Sequence, residues 1–158
     1  YSLASILEPV LFDIHTEAQK RRITVEAKID SNLPNIQCDK DKIRAVLQNF
    51  LENAIRYNKE HGSIWIAVRK KTGDVGDSIE ISIKDTGIGI PKDEQCHIFK
   101  RFYRATNAVS TIADGSGLGL FIAKSIIERH GGKLWFESEH RKGTTFYFTL
   151  PITQNGNK

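Results

Sequence analysis

Two asparagines one helical turn apart, Asn49 and Asn53, precede two glycine-rich segments, Asp85-Thr86-Gly87-Ile88-Gly89-Ile90-Pro91 and Gly115-Ser116-Gly117-Leu118-Gly119-Leu120. An amide oxygen is a hard ligand that can hold Mg2+ in a shell shared with water and phosphate, without adding negative charge against a triphosphate. Asn53 fits that role; its rival reading is a polar residue tolerated at a cleft edge. Asp85 closes an alternating segment, where a carboxylate can accept from an exocyclic amine and so select adenine over guanine. Gly87 and Gly89 let the backbone turn closely around a base, with Ile88 and Ile90 as apolar cover. The Gly115-x-Gly117-x-Gly119 run opens a helix, whose first N–H groups and positive dipole end suit phosphate oxygens. Its spacing, and the polar loop before it, separate it from the dinucleotide fingerprint. The order of the three elements points to a nucleotide pocket.

The elements that must position these residues are legible from periodicity. Leu3, Ile6, Leu7, Val10, Leu11 and Ile14 form one helical stripe, and Arg22 to Ile29 alternates as a strand, with Asn32-Leu33-Pro34-Asn35 as a turn. From Asp39 the period is again helical, with Ile43, Val46, Leu47, Phe50, Leu51, Ala54 and Ile55 on one broad apolar face. At about 100° per residue, Asn49, Asn53, Arg56 and Tyr57 cluster beside that face and Glu52 points away from Asn53. Ser63 to Lys71 and Ser78 to Lys84 alternate as a hairpin around Thr72–Asp77. Ala105 to Asp114 is small and polar, a candidate mobile lid. Phe99 and Phe102 are expected to pack its base, while Arg101 and Arg104 reach phosphate or a partner, and Lys92 is a further candidate. Ile122, Ala123, Ile126 and Ile127 make a core-facing helix that His130-Gly131-Gly132 stops, and strands follow through Leu134–Glu137 and Thr145–Leu150. This pattern predicts an α/β sandwich, a mixed sheet with helices on one face, as a single domain over residues 1–152 with a tail at 153–158.

With 158 residues, 39% hydrophobic and 27% charged, the chain suits one domain with a real core. It has no methionine and begins with tyrosine, so it reads as a piece of a longer protein. The net charge of +4 is spread without a long basic block, which argues against nucleic acid as a partner. Lys20-Arg21-Arg22 and Arg69-Lys70-Lys71 read as solvated ends of a helix and a strand. Cys38 and Cys96 match no metal or redox spacing, which favours a reduced, cytoplasmic setting. No run approaches the length of a membrane span, although a parent protein could still be anchored.

The ordered boxes resemble those of the ATPase and kinase superfamily (GHKL) comprising gyrase, the ninety-kilodalton heat-shock chaperone, histidine kinases and the mismatch-repair ATPase. Within it, Ile98-Phe99-Lys100-Arg101-Phe102-Tyr103-Arg104 is similar to the F box of bacterial sensor histidine kinases. The resemblance covers almost the whole chain, to Pro151. It implies the Bergerat ATP-binding fold, metal ligation by Asn53 with Asn49 as second ligand or water holder, and adenine reading by Asp85. It also implies phosphate contact by Arg56 and packing or hydrogen bonding near the nucleotide by Tyr57. Thr144 corresponds to a family hydroxyl near the adenine end, or is an ordinary strand hydroxyl. The implied ATP-binding set is thus Asn49, Asn53, Arg56, Tyr57, Asp85, Gly87, Gly89, Ile90, Lys92, Phe102, Arg104, Gly115, Gly117, Leu118, Gly119 and Thr144, with ATP and Mg2+ as cofactors.

In the gyrase and chaperone branches a glutamate one turn before the metal-binding asparagine activates water. Asn49 stands there and accepts no proton at neutral pH, so phosphoryl transfer to a separate acceptor is favoured over hydrolysis. That acceptor would be a histidine on an upstream dimerisation segment; His15 lacks its sequence context, and His61, His97, His130 and His140 sit near turns or helix ends. The expected partners are those upstream helices, in a homodimeric parent, and a response regulator, this piece being monomeric. An anti-sigma-type serine kinase and a nucleotide-gated interaction module without phosphotransfer are the alternatives.

Overall fold

The broad apolar stripe from Ile43 to Ile55 is wide enough to bury one whole helix side, and it organises the molecule. The computed structural model describes residues 1–104 and 118–152. Helix α1 spans Leu3–Lys20 and strand β1 Thr24–Ile29. Helix α2 spans Lys40–Arg56, strand β2 Ser63–Lys71 and strand β3 Ser78–Asp85. A 3-10 turn covers Lys92–His97. Helix α3 spans Gly119–Arg129, strand β4 Leu134–Glu139 and strand β5 Gly143–Pro151. The lid segment, Gly115 and Gly117, and the tail from 153 lie outside the described residues.

Helix α2 starts where Asp39 accepts from the Lys42 amide at 3.2 Å, an N-cap that satisfies one of the helix's orphan donors. Asp41 in its first turn and Arg56 in its last complement the helix dipole. All seven residues of the expected apolar face are buried. Beyond the last turn, the Arg21 guanidinium donates to the carbonyls of Ile55, Arg56 and Asn58. Arg21 is therefore a helix cap and not the solvated residue expected from its basic neighbours, because orphan carbonyls need donors.

The five strands form one mixed sheet in the order β1-β2-β3-β5-β4. Strand β1 lies parallel to β2, which requires a crossover, and α2 supplies it. The other three pairings are antiparallel. Ile66 and Val68 align across the register with Ile83 and Ile81, and these with Phe146 and Phe148; with Ile64, these side chains join the helices in one core. Phe50 of α2 meets both Phe146 and Phe148, with ring centroids 5.0 and 5.8 Å apart. The opposite face carries Trp65 under Lys84 and Trp135 stacked on Tyr147. There Arg69 and Lys71 both bond Glu80, which is buried, so this basic cluster is paired rather than freely solvated.

Two apolar expectations fail. Ile122 is 47% exposed while Ala123 and Ile127 of the same helix are buried, because four apolar residues in six positions exceed the arc α3 turns inward. Phe102 is 67% exposed and has a φ of 64°. Only Phe99 of the aromatic pair packs inward, edge-on to Phe136 and Phe146.

Candidate functional site

One face of α2 and the end of β3 carry the candidate site. On α2, Asn53 Nδ2 donates to Asn49 Oδ1 at 3.2 Å. This pairing uses the oxygen of Asn49, and the Asn53 oxygen has no hydrogen-bond partner among the described residues. The first residue of α3, Gly119, is pressed against this pair: a Cβ there would lie 2.5 Å from Asn49 Nδ2. Gly119→Ala must therefore rotate Asn49 away from Asn53, although alanine is the better helix former by about 1 kcal/mol. We expect the variant's Mg2+-dependent ATP affinity to fall about tenfold, the loss of roughly one hydrogen bond's positioning. Thermal melting should show no loss of stability.

At the other end, Asp85 Oδ1 accepts from Gly87 N at 2.8 Å and from Thr144 N at 3.2 Å. Its second oxygen has no hydrogen-bond partner among the described residues. Burial pushes the carboxyl up to about 6, against the opposing pull of the Gly87 and Thr144 amides. Glycine is required nearby for space: a Cβ on Gly87 would meet the Tyr57 carbonyl oxygen at 2.4 Å, and one on Gly89, whose φ is +66°, the Glu139 carbonyl oxygen at 2.0 Å. Ile88 N in turn donates to Tyr57 O at 3.0 Å. The loop after Asp85, residues 86–91, a candidate base loop, is thereby tied to the end of the helix carrying the asparagines.

Of the remaining sequence-predicted residues, Tyr57 caps α2 and receives Arg104 Nη2 at 3.5 Å on its hydroxyl, which brings two of them together. Ile90 packs against the core, Leu118 immediately precedes α3, and Lys92 is exposed at the start of the 3-10 turn. Arg56 is exposed and lines a separate groove between α1 and α2, with Asp13, Glu17 and Glu52. His130 donates through Nδ1 to Ile126 O and accepts from Asp39 N at 3.0 Å, a structural role.

Sequence reading missed Asn58, Ser138 and Gln95. Asn58 is buried, donates to Ser63 O, and accepts from Lys59 N and Thr86 Oγ1, joining α2, β2 and the residue after Asp85. The only local signal was its place just past a helix end, where asparagine favours turns.

The donor set suits Mg2+. Asn53 offers a neutral hard oxygen, and no group of three or more His, Cys, Asp or Glu able to cage a metal occurs among the described residues. A metal held here would share its shell with water and substrate phosphates, as Mg2+ does.

A half-buried carboxylate at a strand end, a glycine loop around it and paired asparagines on the facing helix define a nucleotide-binding α/β sandwich. A family model described as histidine kinase-, DNA gyrase B-, and HSP90-like ATPase matches residues 38–154, and the chain belongs to that family. It is 36% identical over 151 residues to the adaptive-response sensory kinase SasA of Synechocystis sp., covering 96% of this chain and 38% of that protein. Against the sensor histidine kinase WalK of Bacillus subtilis it is 43% identical over 130 residues, 78% of this chain and 20% of that protein. The chain thus spans well under half the length of these relatives. The catalytic domain of the histidine kinase ThkA superposes with a TM-score of 0.82 at 28% identity, over 98% of this chain and 97% of that one. ThkA has also been solved in complex with the response regulator protein TrrA; that kinase chain matches with a TM-score of 0.77 at 27% identity, over 97% of this chain and 41% of its own length. No helix among the described residues is long and apolar enough to cross a membrane.

Proposed function

We propose that this chain is the catalytic and ATP-binding domain of a sensor histidine kinase. It binds Mg-ATP and donates the γ-phosphoryl group to a histidine on an upstream dimerisation segment, in a parent that passes the group to a response regulator. The observation that carries this reading is the Asn49–Asn53 pair. The position where a hydrolytic relative keeps a carboxylate holds an amide bonded to its neighbour, and an amide activates no water.

Phosphoryl transfer needs chiefly positioning and charge neutralisation. Asp85 would orient the adenine through its second oxygen, and the Ile88–Ile90 loop would cover the ring. Asn53 would hold the metal, whose part when bound is to neutralise phosphate charge. An imidazole nitrogen of the acceptor then attacks the γ-phosphorus, the bond to the bridging oxygen breaks, and ADP leaves.

Calorimetric titration with ATP and GTP, with and without Mg2+, tests the pocket, and incubation with a supplied histidine-bearing helical segment tests the transfer. The expected result is magnesium-dependent ATP preference and an acid-labile phosphorylated segment. An acid-stable phosphoserine product would favour the serine kinase, and binding with no transfer the nucleotide-gated module. Light scattering on the isolated chain should give a monomer.

A further inference from the structure

The β4–β5 hairpin is pressed onto the base loop with no room for a side chain between them. A Cβ on Gly143 would lie 2.1 Å from the Asp85 carbonyl oxygen, and Arg141 N donates to Ile88 O at 2.6 Å. Within this contact the Ser138 hydroxyl has three partners. It donates to Gly143 O at 3.0 Å, accepts from Ile90 N at 2.8 Å, and lies 2.7 Å from Thr144 Oγ1. A hydroxyl has one proton and two acceptor sites. With the Ser138 proton given to Gly143, the bond to Thr144 must be donated by Thr144.

That assignment has a chemical result. Thr144, whose own amide holds Asp85 Oδ1, has its hydroxyl proton turned toward Ser138 and keeps only lone pairs to offer elsewhere. The Asp85 carboxylate is likewise an acceptor alone when ionised. A base seated against both, as the family resemblance implies, would meet acceptors alone, which suits an exocyclic amine and rejects a carbonyl at the same place on the ring. Gln95, from the 3-10 turn, locks this arrangement from behind. Both protons of its Nε2 are used, one on Ile90 O at 3.1 Å and one on Ser138 O at 3.0 Å.

We infer that Ser138, backed by Gln95, is a specificity-determining positioning residue for the nucleobase: it fixes the proton of Thr144 and the seat of the Ile88–Ile90 loop, and so sets the preference for a 6-amino over a 6-oxo purine. The inference rests on reading Asp85 as the base contact. Without the Ser138 hydroxyl, Thr144 is free to turn its proton toward a guanine carbonyl, and Ile90 N loses its acceptor.

The experiment compares ATP and GTP binding to the 158-residue chain by calorimetry, with thermal melting as a separate readout. Ser138→Ala should lower the ATP-to-GTP preference about tenfold, the scale of one misdirected hydrogen bond. Ser138→Thr, which keeps the hydroxyl, should restore it. Gln95→Leu should lower the preference about threefold, a fraction of one hydrogen bond, and this change outside the sheet keeps the inference testable if Ser138→Ala does not fold. In a Thr144→Val background, which has no hydroxyl proton to orient, Ser138→Ala should change the preference less than it does in the parent chain, only the seat of Ile90 N remaining to be lost. A Ser138→Ala or Gln95→Leu chain that melts lower yet keeps the parental preference would overturn the inference and make the clip purely structural. A parent chain that binds neither nucleotide would instead remove the base-contact reading, and the inference with it.

Discussion

Asp85→Asn is expected to make the chain melt higher at pH 7 while weakening ATP binding a hundredfold or more. Burial holds this carboxyl at about 6 instead of 3.8, so the folded protein binds more protons than the unfolded chain between about pH 4 and 6. Stability contributed by the protonated form is complete below the unfolded value and is lost as pH rises through about 6. At pH 7 the ionised group therefore costs about 3 kcal/mol, reduced to about 2 kcal/mol by its residual contact with water. Asparagine keeps the oxygen that Gly87 and Thr144 bond and removes the charge. The gain should be about 4–8 °C in Tm for a domain of this size, and it should vanish when the scan is repeated at pH 4.

The same substitution puts an N–H donor where the second carboxylate oxygen stood, facing the amine of adenine. A site built to accept a hydrogen bond rejects a mismatched group strongly, so stability and binding move in opposite directions. Adenosine, which has no phosphate to titrate, isolates the effect of pH. Its affinity for the parent chain should fall about tenfold per unit below about pH 6 and be flat above pH 7. Asp85→Asn should give a weak, flat profile; a parent profile flat from pH 5 to 8 would mean the base is not read by Asp85.

Much of this arrangement is legible before any coordinates. The stripe from Ile43 to Ile55 fixes which side of α2 is buried, and hence that Asn49 and Asn53 share a cleft edge, because a helix period is local information. The Ser63–Lys71 and Ser78–Lys84 strands emerge nearly to the residue for the same reason. What escaped is non-local and made of single bonds. Arg21 reaches α2 across 34 residues, Gln95 reaches Ser138 across 43, and Thr144 N reaches Asp85 across 59. None of these leaves a periodic trace, since a side chain bonding one distant backbone group needs no repeat. Composition misled at Ile122 and Phe102, where apolar character was taken for burial although folded surfaces are largely apolar.

Asn53→Ala separates metal from base. Alanine favours a helix interior by about 0.5 kcal/mol over asparagine, and Asn53 is only half-buried, beside the face of α2 that makes the core, so the fold and Tm should survive. What disappears is the oxygen proposed to hold Mg2+. ATP affinity in Mg2+ should drop to the metal-free value, and affinity without metal should barely change. Phosphoryl transfer to a supplied histidine segment should fall about a thousandfold, equivalent to about 4 kcal/mol of lost charge stabilisation. Asn53→Asp keeps an oxygen but adds a charge beside the phosphates, and should recover magnesium dependence at reduced affinity. Asp85→Asn should instead weaken ATP equally with and without metal, so the two ends of the cleft have separable signatures. An Asn53→Ala chain with undiminished magnesium dependence would place the metal ligand elsewhere.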